Sequence, residues 1–256
     1  MALELKNLRG KISQLNGPVL TIYLATDPSH EDWKIRLKNG LKRIGEYVKA
    51  SQPDEHKQFL SIQEKVETAV LDHQRQLKHG LICYATSDDL LIKQTQITLN
   101  NEFYWEKEPV TKQLDQLFEE YPRTGIILLQ RDRVALIDTL LAEVMDEAHY
   151  EFDLNTEDWR RYKGIAFGAI ISSSANHRDK YDRRLKEHQS RWFKELVPTI
   201  EKHAKEYTWK EVYLAGPTEL TNKMKHLLPR LNIVHVVNQN YTGKSAHDIA
   251  RDFLIK

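Results

Sequence analysis

Between Arg178 and Lys194 seven lysines or arginines stand against three acids, interleaved with Tyr181, His188 and Trp192. A run of this composition suits neutralisation of phosphates. Its alternative is the solvated face of an amphipathic helix whose aromatic residues sit in a core. A second basic stretch holds Lys34, Arg36, Lys38, Lys42 and Arg43, with one acid close by at Glu46. Helical spacing puts Lys34, Lys38 and Lys42 on one side, opposite the apolar residues, where either an RNA contact or a solvent-facing stripe is expected.

Other chemistries are excluded on their own terms. Residues 238 to 245 follow an expected strand, open an expected helix and end Gly-Lys-Ser, but Asn238 stands where a phosphate-binding loop needs its first glycine. A glycine turn followed by Ser245 as N-cap, with Asp248 completing a capping box, accounts for the segment. Asp132, Asp138, Glu143 and Asp146 are scattered over turns and opposite strand faces, so they read as surface charge and not as a two-metal nuclease site. His73 and His79 are poorly spaced for one metal. The single cysteine, Cys83, lies in the apolar run Gly80 to Ala85 and is expected to be an inert core residue. No metal, no cofactor and no disulfide framework is expected.

The chain has 256 residues, 40% of them apolar, and 38 lysines and arginines against 37 acids, so any nucleic-acid site must be a local patch. No apolar run reaches the ~18 residues of a membrane span, and the N-terminus lacks a signal peptide's apolar stretch. A cytoplasmic protein with neither a membrane nor DNA as partner is expected. Helical spacing predicts helices over residues 3–15, 33–48, 53–77 and 111–120, and apolar runs predict strands at 19–25, 81–85, 90–99 and 102–105. Tyr121-Pro122-Arg123-Thr124-Gly125 marks a boundary between residues 1–121, an α+β domain, and residues 122–256. The second half reads as an antiparallel meander over 126–152, an irregular stretch to Asn176, and a long helix from Tyr181 with Leu185, His188, Trp192, Leu196 and Ile200 on one face and a kink at Pro198. Strand 212–215, helix 220–228, strand 233–237 and a last helix from Ser245 complete it. The order β-β-β-α-β-α-β-α predicts an RNase H-like α/β layer domain with a mixed sheet.

Along nearly its full length, from about Thr124 to Phe253, this half resembles the central domain of the archaeo-eukaryotic class I release factor and pelota family. The resemblance is carried by the Gly-Ile-Ile opening strand at 125 to 127, Leu214-Ala215-Gly216 and the Tyr241-Thr242-Gly243 turn, in order and at matching spacing. Trp33 to Leu41 looks like the N-terminal region of bacterial release factor-like proteins of that superfamily. The resemblance implies a protein that binds the ribosome, through its rRNA, or tRNA. In the family a Gly-Gly-Gln loop positions water at the ester of peptidyl-tRNA, and it feeds a long basic helix. Here Ser174-Ala175-Asn176 takes that place, which leaves Asn176 as the candidate catalytic residue and puts hydrolysis in doubt. His177, Arg178, Lys180, Arg183, Arg184 and Arg191, with Lys34, Lys38 and Lys42 in the first half, are the implied RNA contacts. No Asn-Ile-Lys-Ser element of the stop-codon-reading sort is found, and the family's third domain, used for partner proteins, does not follow. Rescue, quality control or protection of ribosomes is therefore expected instead of ordinary termination; the rivals are a non-catalytic ribosome- or tRNA-binding module and a protein-interaction scaffold.

Overall fold

In the computed structural model of the protein the backbone is described over residues 8–153, 158–162, 175–239, 241 and 243–255, and side chains over the same residues except 153, 158–160, 162 and 175–190. The chain forms two compact units, Met1–Glu119 and Glu120–Lys256.

The first unit is built on a four-stranded antiparallel sheet in the order β3-β2-β1-β4, with β1 Val19–Ala25, β2 Gly80–Ala85, β3 Leu90–Thr95 and β4 Glu102–Glu106. Helices α1 (Asp32–Ser51) and α2 (His56–Asp72) bury Trp33, Leu37, Leu41, Val48, Phe59, Ile62, Val66 and Val70 against Leu20, Ile22 and Leu24. These are the positions the helical spacing predicts. Alternation along β1 sends Tyr23 to the other face, where its hydroxyl donates to the carbonyl of Val110 at 2.9 Å. The unit closes with α3, Lys112–Glu120. Cys83 is fully buried, and burial raises its thiol pKa to about 12, so it has no thiolate to offer at neutral pH.

The second unit holds a six-stranded mixed sheet in the order β10-β9-β5-β6-β7-β8. Its antiparallel part is β5 Thr124–Leu129, β6 Arg133–Leu140, β7 Glu143–Asp153 and β8 Asp158–Tyr162, and its parallel part runs from β5 through β9 Glu211–Ala215 to β10 Ile233–Val237. Three helices follow the meander: α4 Ala175–Glu206, α5 Thr218–Leu227 and α6 Ala246–Leu254. Alternating residues of β5 face two separate cores. Ile127 and Leu129 pack with Phe193, Leu196 and Ile200 of α4 and Leu220 and Met224 of α5, whereas Ile126 and Leu128 pack with Ile249 and Ala250 of α6. This is the RNase H-like α/β arrangement. The last helix begins as its sequence demands: Ser245 Oγ accepts from the Asp248 N–H at 3.1 Å, and Gly243 turns at φ 86°.

In the first unit α2 ends at Asp72 instead of Leu77 and β3 at Thr95 instead of Leu99; two elements of the second unit also differ from the spacing-based expectation. The stretch after Asp153 contains a strand, β8, whose sequence Asp-Trp-Arg-Arg-Tyr is polar as an outer strand tends to be. The long helix starts at Ala175 and not at Tyr181, since neither glycine nor proline interrupts the chain between Ala175 and Pro198, and it continues through Pro198.

Gly216 ends β9 at φ 146°, and a Cβ there would lie 2.4 Å from the backbone oxygen of Leu129. Replacing it with alanine meets both backbone strain and a clash, so Gly216→Ala is expected to lower stability by about 2 kcal/mol or more in urea unfolding followed by circular dichroism.

Candidate RNA-contacting helix and its anchor

The basic run lies on α4, so whatever fixes α4 aims the run. The helix has 32 residues and is therefore about 48 Å long, while the six residues of β5 extend about 20 Å. Trp192 is one of its contacts with the sheet. The Trp192 indole stacks on Phe152 near the end of β7, with ring centroids 3.6 Å apart and planes 19° from parallel. Both rings are 2% exposed. The Phe152 N–H in turn donates to the Asp132 carbonyl at 2.8 Å, in the turn between β5 and β6, so this stack marks one rim of the sheet. Residues 175 to 191 precede it, about 25 Å of helix.

The other end of α4 is held by a buried polar network. Asp138 of β6, 1% exposed, accepts from Arg123 Nε at 2.9 Å, from Arg123 Nη2 and from Trp209 Nε1 at 2.8 Å. Trp209 follows α4 directly and lies flat on Gly125 of β5, where a Cβ would come within 2.2 Å of the indole. The Arg123 guanidinium also sits 5.4 Å from the centre of the Tyr207 ring, and Tyr207 donates its hydroxyl to Asp146 of β7. One turn earlier, His203 stacks on Tyr207 with centroids 5.6 Å apart and shares a 2.7 Å hydrogen bond between its Nε2 and the Tyr150 hydroxyl. Three strands are thereby tied to the last turns of one helix.

The electrostatics follow from burial. The hydrogen bond to Asp146 and then desolvation push the Tyr207 phenol well above its ordinary pKa, so it remains a donor. Burial, reinforced by Arg161, holds the His203 imidazole below its usual value. The reading of the four carboxylates as surface charge is corrected at two positions: Asp138 is 1% and Glu143 8% exposed. For Asp138 the reason is the Arg123 guanidinium, which neutralises it and donates to both of its oxygens. A sequence cue existed, because Asp138 is the one charge within the run Val134 to Leu141. Nothing in the spacing marked Arg123 or Trp209 as its partners.

The residues singled out from sequence divide as follows. Asn176, His177, Arg178, Lys180, Arg183, Arg184 and Arg191 all lie on α4, with Asn176 and His177 within its first turn, which contains no acid. Ser174 lies outside the described residues, as do the side chains of 175 to 190. Arg191 is exposed and forms an i,i+4 pair with Glu195 at 3.3 Å. On α1, Lys38 and Lys42 are exposed and Lys34 partly so; Lys34 pairs with Glu31 at 2.6 Å and Lys42 with Glu46 at 3.9 Å. Much of the α1 stripe is thus answered by its own helix, which weakens it as a phosphate site. Among the described residues no group of three metal-ligating side chains converges, and no helix is long and apolar enough to cross a membrane.

A sequence profile described as bacterial archaeo-eukaryotic release factor family 5 matches residues 122–254. An uncharacterized protein of Bacillus subtilis (strain 168), YocB, is 27% identical over 251 residues, which is 95% of this chain and 94% of its own. Among solved structures, an archaeal protein and the archaeal translation termination factor aRF1 align with TM-scores of 0.35 and 0.33, each 16% identical and covering 98% of this chain and 73% of theirs.

Removing Arg123 strands a buried carboxylate, so Arg123→Ala is expected to cost about 3–5 kcal/mol. The double variant Arg123→Leu/Asp138→Leu should recover much of that loss in the same denaturant titration. His203 supplies a pH signature. Its folded pKa lies below the ordinary imidazole value of about 6.5, so the unfolded chain binds the proton first. Stability should therefore decline as pH falls from 6.5 toward the folded value and level off beneath it. His203→Gln should remove that part of the slope.

Proposed function

Because the chain belongs to the bacterial archaeo-eukaryotic release factor family 5, we propose that it is a cytoplasmic, ribosome-associated release factor-like protein acting in rescue, quality control or protection of ribosomes. The observation that carries this reading is the charge placement on α4. Arg178, Lys180, Arg183 and Arg184 lie in the N-terminal half of the helix and outnumber the acids among them, Asp179 and Asp182, and the first turn holds no acid. The helix dipole is already positive at that end, so Arg178, the one lysine or arginine of the first turn, opposes it by ~0.3–1 kcal/mol. The arrangement favours a bound polyanion. Helical periodicity puts positions 180, 183, 184 and 191 opposite the sector of buried Leu196 and Ile200, as a face presented to rRNA or tRNA requires. Position 178 falls in line with Leu196 and belongs to the helix end. Lys34, Lys38 and Lys42 of α1 are a secondary contact.

In this reading residues 122–256 are the release factor-like central domain and residues 1–121 a separate N-terminal domain. Asn176 supports occupancy of a ribosomal or tRNA site over hydrolysis. It falls in the first helical turn, where the backbone has one regular conformation, and alanine and serine precede it where the family has glycines. If hydrolysis of peptidyl-tRNA does occur, the Asn176 carboxamide is the group available to position water.

Co-sedimentation with ribosomes at low salt is expected for wild type and lost in Arg183→Glu/Arg184→Glu, with binding falling steeply as salt rises. Protein that stays at the top of the gradient at low salt contradicts the reading. In a parallel assay on stalled ribosome–nascent chain complexes, occupancy predicts binding without release of labelled peptide. Release abolished by Asn176→Ala would establish hydrolysis instead.

A further inference from the structure

A cavity of about 140 Å³ opens where β5 and β9 begin, lined by Glu120, Tyr121, Thr124, Glu211, Tyr213 and Phe253 among others. That volume holds several waters and falls below the ~300 Å³ of a cofactor-sized site, so the fitting ligand is a single small group. Its walls combine aromatic rings and carboxylates. Tyr213 and Phe253 are stacked, with centroids 6.1 Å apart and planes 19° from parallel, and Tyr241 meets Phe253 edge-on at 4.9 Å. Tyr213 also packs against His235, with ring centroids 5.5 Å apart. Glu211 is half-buried and Glu120 exposed, and neither has an ion-pair partner among the described residues.

We propose that this cavity binds a primary alkylammonium group, the chemistry shared by lysine side chains and polyamines. A cation is favoured over the face of a tyrosine or phenylalanine ring, and its methylenes suit the apolar remainder of the wall. Glu211 and Glu120 supply charge-assisted acceptors for the three N–H donors. The phenols respond to the same negative potential. Burial first, then Glu120 for Tyr121 and Glu211 for Tyr213, raise their pKa values, so both rings remain neutral at physiological pH. Neutral rings beside carboxylates are the combination that attracts a cation and repels phosphate. The site shares no residue with α4 and has the opposite preference in charge, so it does not depend on the ribosomal reading.

Titration calorimetry of the full chain at matched ionic strength tests it, with n-butylammonium as probe and 1-butanol as its neutral isostere. Butylammonium is expected to bind and butanol not. Glu211→Gln should weaken butylammonium roughly tenfold, and Tyr213→Leu, which keeps an apolar wall without the ring, by roughly threefold or more. Unchanged melting curves would show that both variants are folded. Spermidine and N-acetyl-lysine methylamide distinguish the sources: tighter spermidine binding points to a free polyamine, and lysine amide binding at least as tight points to a protein side chain. Equal binding of butanol and butylammonium, an unaffected Glu211→Gln variant, or no heat with any amine would overturn the proposal. None of these outcomes bears on ribosome co-sedimentation.

Discussion

The Asp138 carboxylate, buried at 1% exposure and saturated by Arg123 and Trp209, is the constraint on which the second unit depends. A lone charge in that position would cost several kcal/mol. Its partners come from two places in the chain, the residue before β5 and the connection after α4, while the carboxylate itself sits on β6. Satisfying Asp138 therefore fixes where α4 ends relative to the sheet. Gly125 is part of the same constraint, since only a residue without a side chain lets the Trp209 indole lie close enough to reach the carboxylate. Tyr207, His203 and their partners Asp146 and Tyr150 extend the hold over the last turns of the helix.

A helix fixed at one end and stacked at the rim by Trp192 and Phe152 can carry an unfavourable load at the other. Cations near a helix N-terminus each oppose the dipole by at most ~1 kcal/mol. Burial of Trp192, Phe193, Leu196 and Ile200 contributes about 1.5–3 kcal/mol for each side chain. The apolar term wins, so the C-terminal half can stabilise a helix whose N-terminal half is composed for binding. This division of labour along one element is what the proposed ribosomal role rests on.

Where apolar periodicity is strong, the sequence was sufficient. The spacing of Trp33, Leu37, Leu41 and Val48 placed α1, and the apolar runs at 126–129 and 212–215 placed β5 and β9. Cys83 and Ser245 were legible for the same reason, since their roles are set by immediate neighbours. Polar elements were not. β8 has no apolar alternation to announce it, and it is recognisable only once β7 offers a ladder to pair with. Asp138 shows the limit from the other side: a charge in an apolar run signals a partner but does not identify it. Arg123 reaches it because β5 and β6 pair with Gly125 opposite Asp138, a register that local pattern does not encode. The basic face of α4 was legible as composition, whereas the anchor that aims it exists only in three dimensions.

In the proposed function the basic half of α4 is the part of the second unit that meets ribosomal RNA or tRNA. Site-specific photo-crosslinking tests this most directly, with the crosslinking residue at position 184 on α4 or at position 225 on α5, each bound to ribosomes at low salt. The account predicts crosslinks to ribosomal RNA or tRNA from position 184 and few or none from position 225. Crosslinks from position 184 to protein alone, or equal RNA crosslinking from both positions, would contradict it.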